Sequence, residues 1–373
     1  VTADSIKIGL VVPDTGPGVI VNDFNGARSA VETRIAVQNA RGGVAGRKIK
    51  LEWRDDQATP TGFSLATRDL VSQEQVFGLV ALTVAFNGAA DWLAAERVPV
   101  AGFASGAEWS DYPNVFHFGN LFNKGTVSTF GDYVKAAGGT RAVVVVDPIA
   151  AASPSLITTI SASLRSRGVQ IVDQIDFTHG ISSPARVVDD FESSGADTLI
   201  GSAVTSDFVD IYSQVKDLGG QINVALNAGG YSSSMLSAFG SKMAGMTTLT
   251  KFATPGSAAM RAYEDAMRTY SPELADPSDE IAVASYVATD EMIRGLELAG
   301  PCPTRDAFIH NLRGVTDFTG GGLMPPVDLS KPKEPVLCSN FVKPDAAGRA
   351  FVAVPPPAEL QHDGYWCGQL ISD

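Results

Sequence analysis

From Ser5 to Pro13 the chain reads SIKIGLVVP, alternating and then running apolar with β-branched side chains, the mark of a strand. DTGPG at 14–18 breaks it. Between Asn25 and Arg41 the residues Ala27, Ala30, Val31 and Ile35 return at helical spacing, which predicts a helix. In RKIKLEWRD (47–55), Ile49, Leu51 and Trp53 share one face, as in a strand. The same reading gives a helix at 64–75, a strand at 77–82, a helix at 87–96, a strand at 98–103 and a further strand in NVFHFG at 114–119.

The plan then repeats. RAVVVVD (141–147) reads as a buried strand, followed by a helix at 155–167, VQIVDQ, a helix at 184–194, DTLIGS, a helix at 206–218 and INVALN. Strands alternating with helices predict an α/β fold with parallel sheets, here in two halves of similar plan. The last third changes character: helices at 257–270, 280–299 and 304–313, a Gly/Pro-rich stretch at 319–335, and CSNFVKP and RAFVAVP as antiparallel strands.

The glycines of NARGGVAGRKIK (39–50) invite a phosphate-loop reading, and their order rules against it. A phosphate loop runs strand, glycines, helix, so that the helix N-terminus faces the anion. Here the order is helix, glycines, strand. Gly42 and Gly43 stand where a helix takes a left-handed C-cap, and Gly46 serves the turn into the next strand. DTGPG does follow a strand, but no Lys-Ser/Thr follows it, so it is no Walker loop.

Composition adds bounds. The chain has 373 residues, 45% of them hydrophobic and 18% charged, enough for two domains with their own cores. A net charge of −13 argues against nucleic acid, which needs a basic face. No apolar run reaches the roughly 18 residues of a membrane span. The chain starts at Val1 rather than methionine, so removal of a leading segment is expected, a secretory signal being one candidate.

Cys302, Cys338 and Cys367 include no C-x-x-C pair, which disfavours a zinc ribbon or a thioredoxin site. A disulfide stapling the C-terminal tail would fit an oxidising compartment. Cys338–Cys367 is preferred because both flank an apparent terminal hairpin; Cys302–Cys338 and three free thiols stay open.

No catalytic constellation assembles. His117, His179, His310 and His362 form no metal-ligand spacing, and no metal or cofactor is expected. GFASGAE (102–108) puts Ser105 out of frame for a nucleophile elbow. Asp55 and Asp56 are neighbours in a strand and point to opposite faces, so they are read as bracing the next loop rather than sharing a substrate. Without nucleophile, base and oxyanion donors, an enzyme is not expected.

The segments IKIGLVVPDTGP, FNGARSAVE, NARGGVAGRKIKLEWRDDQATP and RVPVAGFAS resemble the extracytoplasmic solute-binding proteins of ABC transporters, in the leucine/isoleucine/valine-binding-protein-like branch with the type I periplasmic binding fold. The likeness is strong over about residues 5 to 110 and continues in SRGVQIVDQIDFT, SSGADTLI and SYVATDEMIRGLELAGP. It implies two Rossmann-like lobes joined by a three-stranded hinge, 1–120 plus 252–330 and 121–251 plus 331–373, with the chain crossing near 121, 251 and 331. It implies a small-molecule ligand in an interlobe cleft, hinge closure, and delivery to an ABC permease by a monomer in the periplasm or anchored as a cell-surface lipoprotein. A sensor or regulator of the same fold is the first alternative; an α/β enzyme is the second.

Carried onto this chain, the family's amino-acid-holding positions fall after the third strand at Thr83, Val84, Ala85 and Phe86, and after the fourth at Ala104, Ser105 and Gly106. In the second lobe they fall after Asp147 at Ala151 and Ala152, where a tyrosine is usual, near Val204 for a second tyrosine, and near Ala228 for the acid that meets the ammonium. The ammonium partner and both aromatics are thus replaced. A buried ammonium without a carboxylate is costly, so the expected ligand is not a free α-amino acid in the usual pose. The expected pocket is roomier and apolar, lined by Val84, Phe86 and Ala151, with hydrogen bonds from Thr83, Ser105, Asn227 or Tyr231. It would take an aromatic or short-chain organic acid, an amide or a lipid-derived fragment. A one- or two-residue slip would bring Asp207 into play. Phe86 has packing within its own lobe as its alternative, Asn227 a turn-shaping role, and Trp109 a place at the rim, in a lobe contact or in an exposed loop.

Overall fold

The structure is a computed structural model and describes residues 1–149 and 153–371. The chain forms two units, Val1–Asn123 with Ala258–Glu334, and Lys124–Ser257 with Pro335–Asp373.

The first unit opens with β1 (Ser5–Val12), α1 (Gly18–Asp23), α2 (Ala27–Ala40), β2 (Lys48–Asp55), α3 (Pro60–Arg68), β3 (Leu79–Ala81), α4 (Ala90–Ala95), β4 (Val100–Gly102) and β5 (Val115–His117). The second unit contributes β6 (Thr126–Val127), α5 (Thr129–Ala136), β7 (Arg141–Val146), α6 (Ser153–Ser166), β8 (Gln170–Asp176), α7 (Pro184–Ser194), β9 (Thr198–Ser202), α8 (Thr205–Asp217), β10 (Val224–Asn227), α9 (Ser233–Phe239) and β11 (Met246–Thr250). The first unit resumes with α10 (Ala258–Tyr270), α11 (Glu280–Leu298) and α12 (Arg305–Arg313). The second closes with β12 (Cys338–Pro344), β13 (Phe351–Ala353), β14 (Gln361–His362), β15 (Tyr365–Cys367) and β16 (Leu370–Ile371).

The first unit's sheet is wholly parallel, in the order β2-β1-β3-β4-β5. α3, the turn after it and α4 bury Phe63, Leu70 and Leu93 against one face, while α2 and α11 cover the other. The glycines between α2 and β2 hold the left-handed conformations expected of a C-cap, φ 108° at Gly42 and 79° at Gly43. A Cβ on Gly43 would sit 1.9 Å from the Arg47 carbonyl oxygen, so only glycine fits.

The second unit's parallel strands run β8-β7-β9-β10-β11, the same order as in the first unit; β12 joins β11 antiparallel and carries β13 and β15. One face is covered by α5 and α6 with Tyr133, Phe341 and Trp366, and the other by α7 and α8 with Phe191 and Phe208. Both units are therefore the parallel α/β sheets that the sequence pattern predicts.

Helix α3 starts at Pro60, earlier than its apolar spacing implied. Pro fits the first helical turn, and the Thr59 side chain accepts the Gly62 N–H at 3.0 Å as N-cap. The helix gives way to a turn of π-helix at Asp69–Gln73. Pattern reading missed α5 and β11. The latter is MTTLT, polar on paper yet fully buried. Thr248 spends its hydroxyl on the Gly229 carbonyl (2.8 Å), and Thr247 meets the Tyr133 hydroxyl (2.5 Å), which removes the cost of burying them.

A disulfide joins Cys338 to Cys367. The two residues sit directly opposite each other in the β12–β15 ladder, so the bond staples paired strands. Cys302 is free and exposed.

Candidate functional site

In an open parallel sheet, ligands gather at the carboxyl ends of the strands, where the strand order reverses. In the first unit that point lies between β1 and β3, and in the second between β7 and β9. The loops there are 13–17 and 82–89 in the first unit. In the second, Asp147 and Pro148 follow β7, and Ala203 and Val204 follow β9.

In the first unit Asp55 and Asp56 leave the end of β2 in opposite senses. Asp55 reaches the loop after β1, accepting the N–H groups of Asp14 (2.9 Å), Thr15 (3.3 Å) and Gln57 (2.8 Å) and the Thr15 hydroxyl (2.5 Å). Burial works to raise its pKa, but the bonds from Thr15, Gln57 and Asp14 outweigh it and hold the carboxyl below its usual range. Asp56 turns inward, accepts the Thr83 hydroxyl and the Ala58 N–H (2.9 Å), and is pushed up by burial. The two carboxylates turn opposite ways, as their alternation implied, and besides the next loop at Gln57 and Ala58 they brace the loops after β1 and β3, which the sequence reading did not foresee.

That arrangement commits Thr83. Its hydroxyl donates to Asp56 and its oxygen accepts the Ala85 N–H at 2.9 Å. Ala85 is in the core, and Phe86 is buried with its ring 4.3 Å from that of Trp109 and 5.9 Å from that of Phe63. Phe86 is thus packed within its own unit, the alternative weighed for it. Trp109 is in the same core rather than at a rim or in an exposed loop, and it fits because residue 102 is glycine. A Cβ there would stand 2.2 Å from the Ala81 carbonyl oxygen and 2.7 Å from the indole. Val84 is the apolar side chain this loop leaves exposed, at 47%. After β4, Ala104 is buried, Gly106 is extended and partly open, and the Ser105 oxygen accepts the Trp109 indole N–H at 3.2 Å. The Ser105 proton remains available to donate.

In the second unit Asn227 is fully buried at the end of β10. It donates to the carbonyls of Ala203 (3.3 Å) and Gly229 (3.2 Å), so it shapes the turn. Tyr231 is buried edge-on against Phe351, 4.9 Å between ring centroids. Ala151 and Ala152 lie outside the described residues. Three aliphatic side chains are exposed along adjacent strand ends: Ile181 beyond β8 (83%), Ile149 beyond β7 (76%) and Val204 beyond β9 (41%). Two carboxylates of those loops have partners. Asp147 accepts the Ile149 N–H at 3.1 Å, and Asp207 pairs with His179 Nδ1 at 2.8 Å. The apolar edge formed by Ile149 and Ile181 was not singled out in the sequence; isolated isoleucines after strands carry no pattern of their own.

Comparison with known proteins agrees with this architecture. A family model described as "Periplasmic binding protein" matches residues 5–349. The chain is 26% identical over 302 residues to the Leu/Ile/Val-binding protein homolog 3 of Brucella melitensis, covering 79% of each chain. Among solved structures it resembles a putative branched-chain amino acid ABC transporter from Silicibacter pomeroyi, with a TM-score of 0.79 and 16% identity over 98% of this chain and 99% of that one. It also resembles a fatty acid ABC transporter substrate-binding protein from Thermomonospora curvata, with a TM-score of 0.74 and 18% identity over 95% and 92%.

Proposed function

The chain belongs to the periplasmic binding protein family, with Leu/Ile/Val-binding-like ABC transporter substrate-binding proteins as its relatives, and from that premise we propose that it captures a small organic acid or amide with an apolar body and no α-ammonium group. Members of this family bind solutes rather than transform them and work outside the cytoplasm. Among the described residues no helix is long and apolar enough to cross a membrane. Import would fall to the ABC permease with which members of this family work.

The observation that carries the ligand class is the edge formed by Ile149, Ile181 and Val204, whose neighbouring carboxylates are engaged by Ile149 N–H and by His179. Asp147 is buried and Asp207 faces His179, so the surface that this edge turns to a ligand is aliphatic, and burying an ammonium against aliphatic side chains is disfavoured. An apolar acid meets no such cost. Its polar end would take the Ser105 proton and backbone N–H groups after β3 and β4, with Val84 against its body. The fatty acid named for one structural neighbour is an acid of this kind. Closure around the ligand would turn affinity into a shape that a permease reads.

A thermal-shift panel tests this. It sets leucine, isoleucine and valine against their keto acids, benzoates, short fatty acids and amides. A ligand at 100 times its Kd adds about 2.7 kcal/mol, a shift of a few degrees. Stabilisation by the acids or amides, without an effect of the amino acids, is expected; stabilisation by leucine or valine alone would sink the reading.

A further inference from the structure

The first unit carries a groove of about 310 Å³ between α2, α10 and α11, away from the strand ends and lined also by Gly320, Gly321 and Leu323. That volume lies at the lower end of the range that holds small ligands. Its shape follows from sequence. On α10, Ala259, Ala262 and Ala266 recur along one face and leave space where longer side chains would meet α2. Tyr263 and Tyr286 stand edge to face, 5.1 Å apart, and give the groove aromatic walls. At the rim, Gly320 and Gly321 have φ of 55° and 71°, so the loop approaches as bare backbone.

The polar groups of the groove are unequal. Arg34 is buried and saturated: it pairs with Asp290 at 2.7 Å and donates twice to Gln38 at 3.2 Å. Arg41, just past the end of α2, is exposed and has no ion pair or side-chain hydrogen bond among the described residues, and the Tyr286 hydroxyl has no partner there either. Both groups line the groove, and of the charges there Arg34 and Asp290 act on the Tyr286 hydroxyl more strongly than Arg41 does. With Asp290 cancelling Arg34, the groove keeps one positive charge in a protein of net charge −13.

We propose that this groove is a second small-molecule site, for a monoanion with a flat apolar body such as an aryl carboxylate. The carboxylate meets the Arg41 guanidinium and the Tyr286 hydroxyl. The ring lies along the alanine face of α10 beside Tyr263. A guanidinium–carboxylate pair next to an apolar slot rewards both ends of such a molecule. The inference does not depend on the strand-end reading, because no residue is shared.

The test is a benzoate titration of the intact oxidised protein followed by amide NMR. Saturable shifts at Ala262, Gly320 and Gly321 are expected. Arg41→Ala should weaken them about tenfold or more, and Ala262→Leu, an exposed helix position where leucine is well tolerated, should abolish them by filling the slot. Shifts confined to Val84, Ser105 and Val204 would support the strand-end site and overturn this one. Absence of saturation at Ala262, Gly320 and Gly321, or equal affinity in both variants, would overturn it too.

Discussion

The Thr83 hydroxyl donates to the Asp56 carboxylate, tying the loop after β3 to the end of β2, and both side chains are fully buried. Removing either partner leaves the other without its bond in a site that water does not reach. Asp56→Ala should destabilise the protein by about 2–4 kcal/mol, and Thr83→Val by about 1–3 kcal/mol. A double-mutant cycle in urea should show coupling of about 1 kcal/mol or more. Simple additivity would mean that the two loops are held by something else.

Asp279 caps α11, accepting the Ile281 N–H at 3.0 Å, and burial lifts its carboxyl from 3.8 to about 6, with the charge of Asp276 adding to the effect. A carboxyl whose folded value lies above its unfolded one holds its proton more tightly when folded. Stability therefore falls as pH rises from 3.8 to about 6 and then levels. Asp279→Asn keeps a capping oxygen and removes the ionisation. The variant should be more stable at neutral pH by up to about 3 kcal/mol, with its pH slope through that window lost. Denaturant melts of both proteins across the window read this directly.

Glu291 points into the first unit with neither carboxyl oxygen hydrogen-bonded among the described residues. Burial drives its pKa well above the usual range against the pull of Arg313. A neutral acid without partners contributes less than an apolar side chain of its length. Glu291→Met should stabilise by about 1–3 kcal/mol, whereas Glu291→Gln, which buries the same number of unpaired polar atoms, should not. A loss of stability in the methionine variant would show that the carboxyl has a partner after all.

The Cys338–Cys367 bond closes a segment with a sequence separation of 29 residues. By loop-closure entropy, losing it costs about 3–4 kcal/mol. Replacing both cysteines by serine should lower the melting temperature, and reductant should do the same to the parent protein only. Sensitivity of the double variant to reductant would point to Cys302.

Where one face of an element is buried and the other wet, the sequence displays it. Ile49, Leu51 and Trp53 mark β2, and Ala27 to Ile35 mark α2. Element β11 escaped notice because its threonines are reconciled to the interior by partners remote in sequence, Gly229 and Tyr133. The strand-end loops show the same limit. Position alone made Thr83 and Phe86 candidates for the pocket, but which way each turns depends on Asp56, Phe63 and Trp109, and no local pattern encodes those contacts. Asp55 and Asp56 were legible because strand alternation is local.

The pairing of β16 with β6 has a consequence for how the molecule is made. Leu370 and Ile371 lie against Val127 and Thr126, and β12 extends a sheet whose parallel strands precede it by a whole insertion of the other unit. Contacts so distant along the chain form slowly, because loop closure precedes any reward. During synthesis the first unit waits for α10 to α12, and the second waits longer still. Both would stay unfinished, and open to chaperones, until nearly all of the polypeptide had emerged.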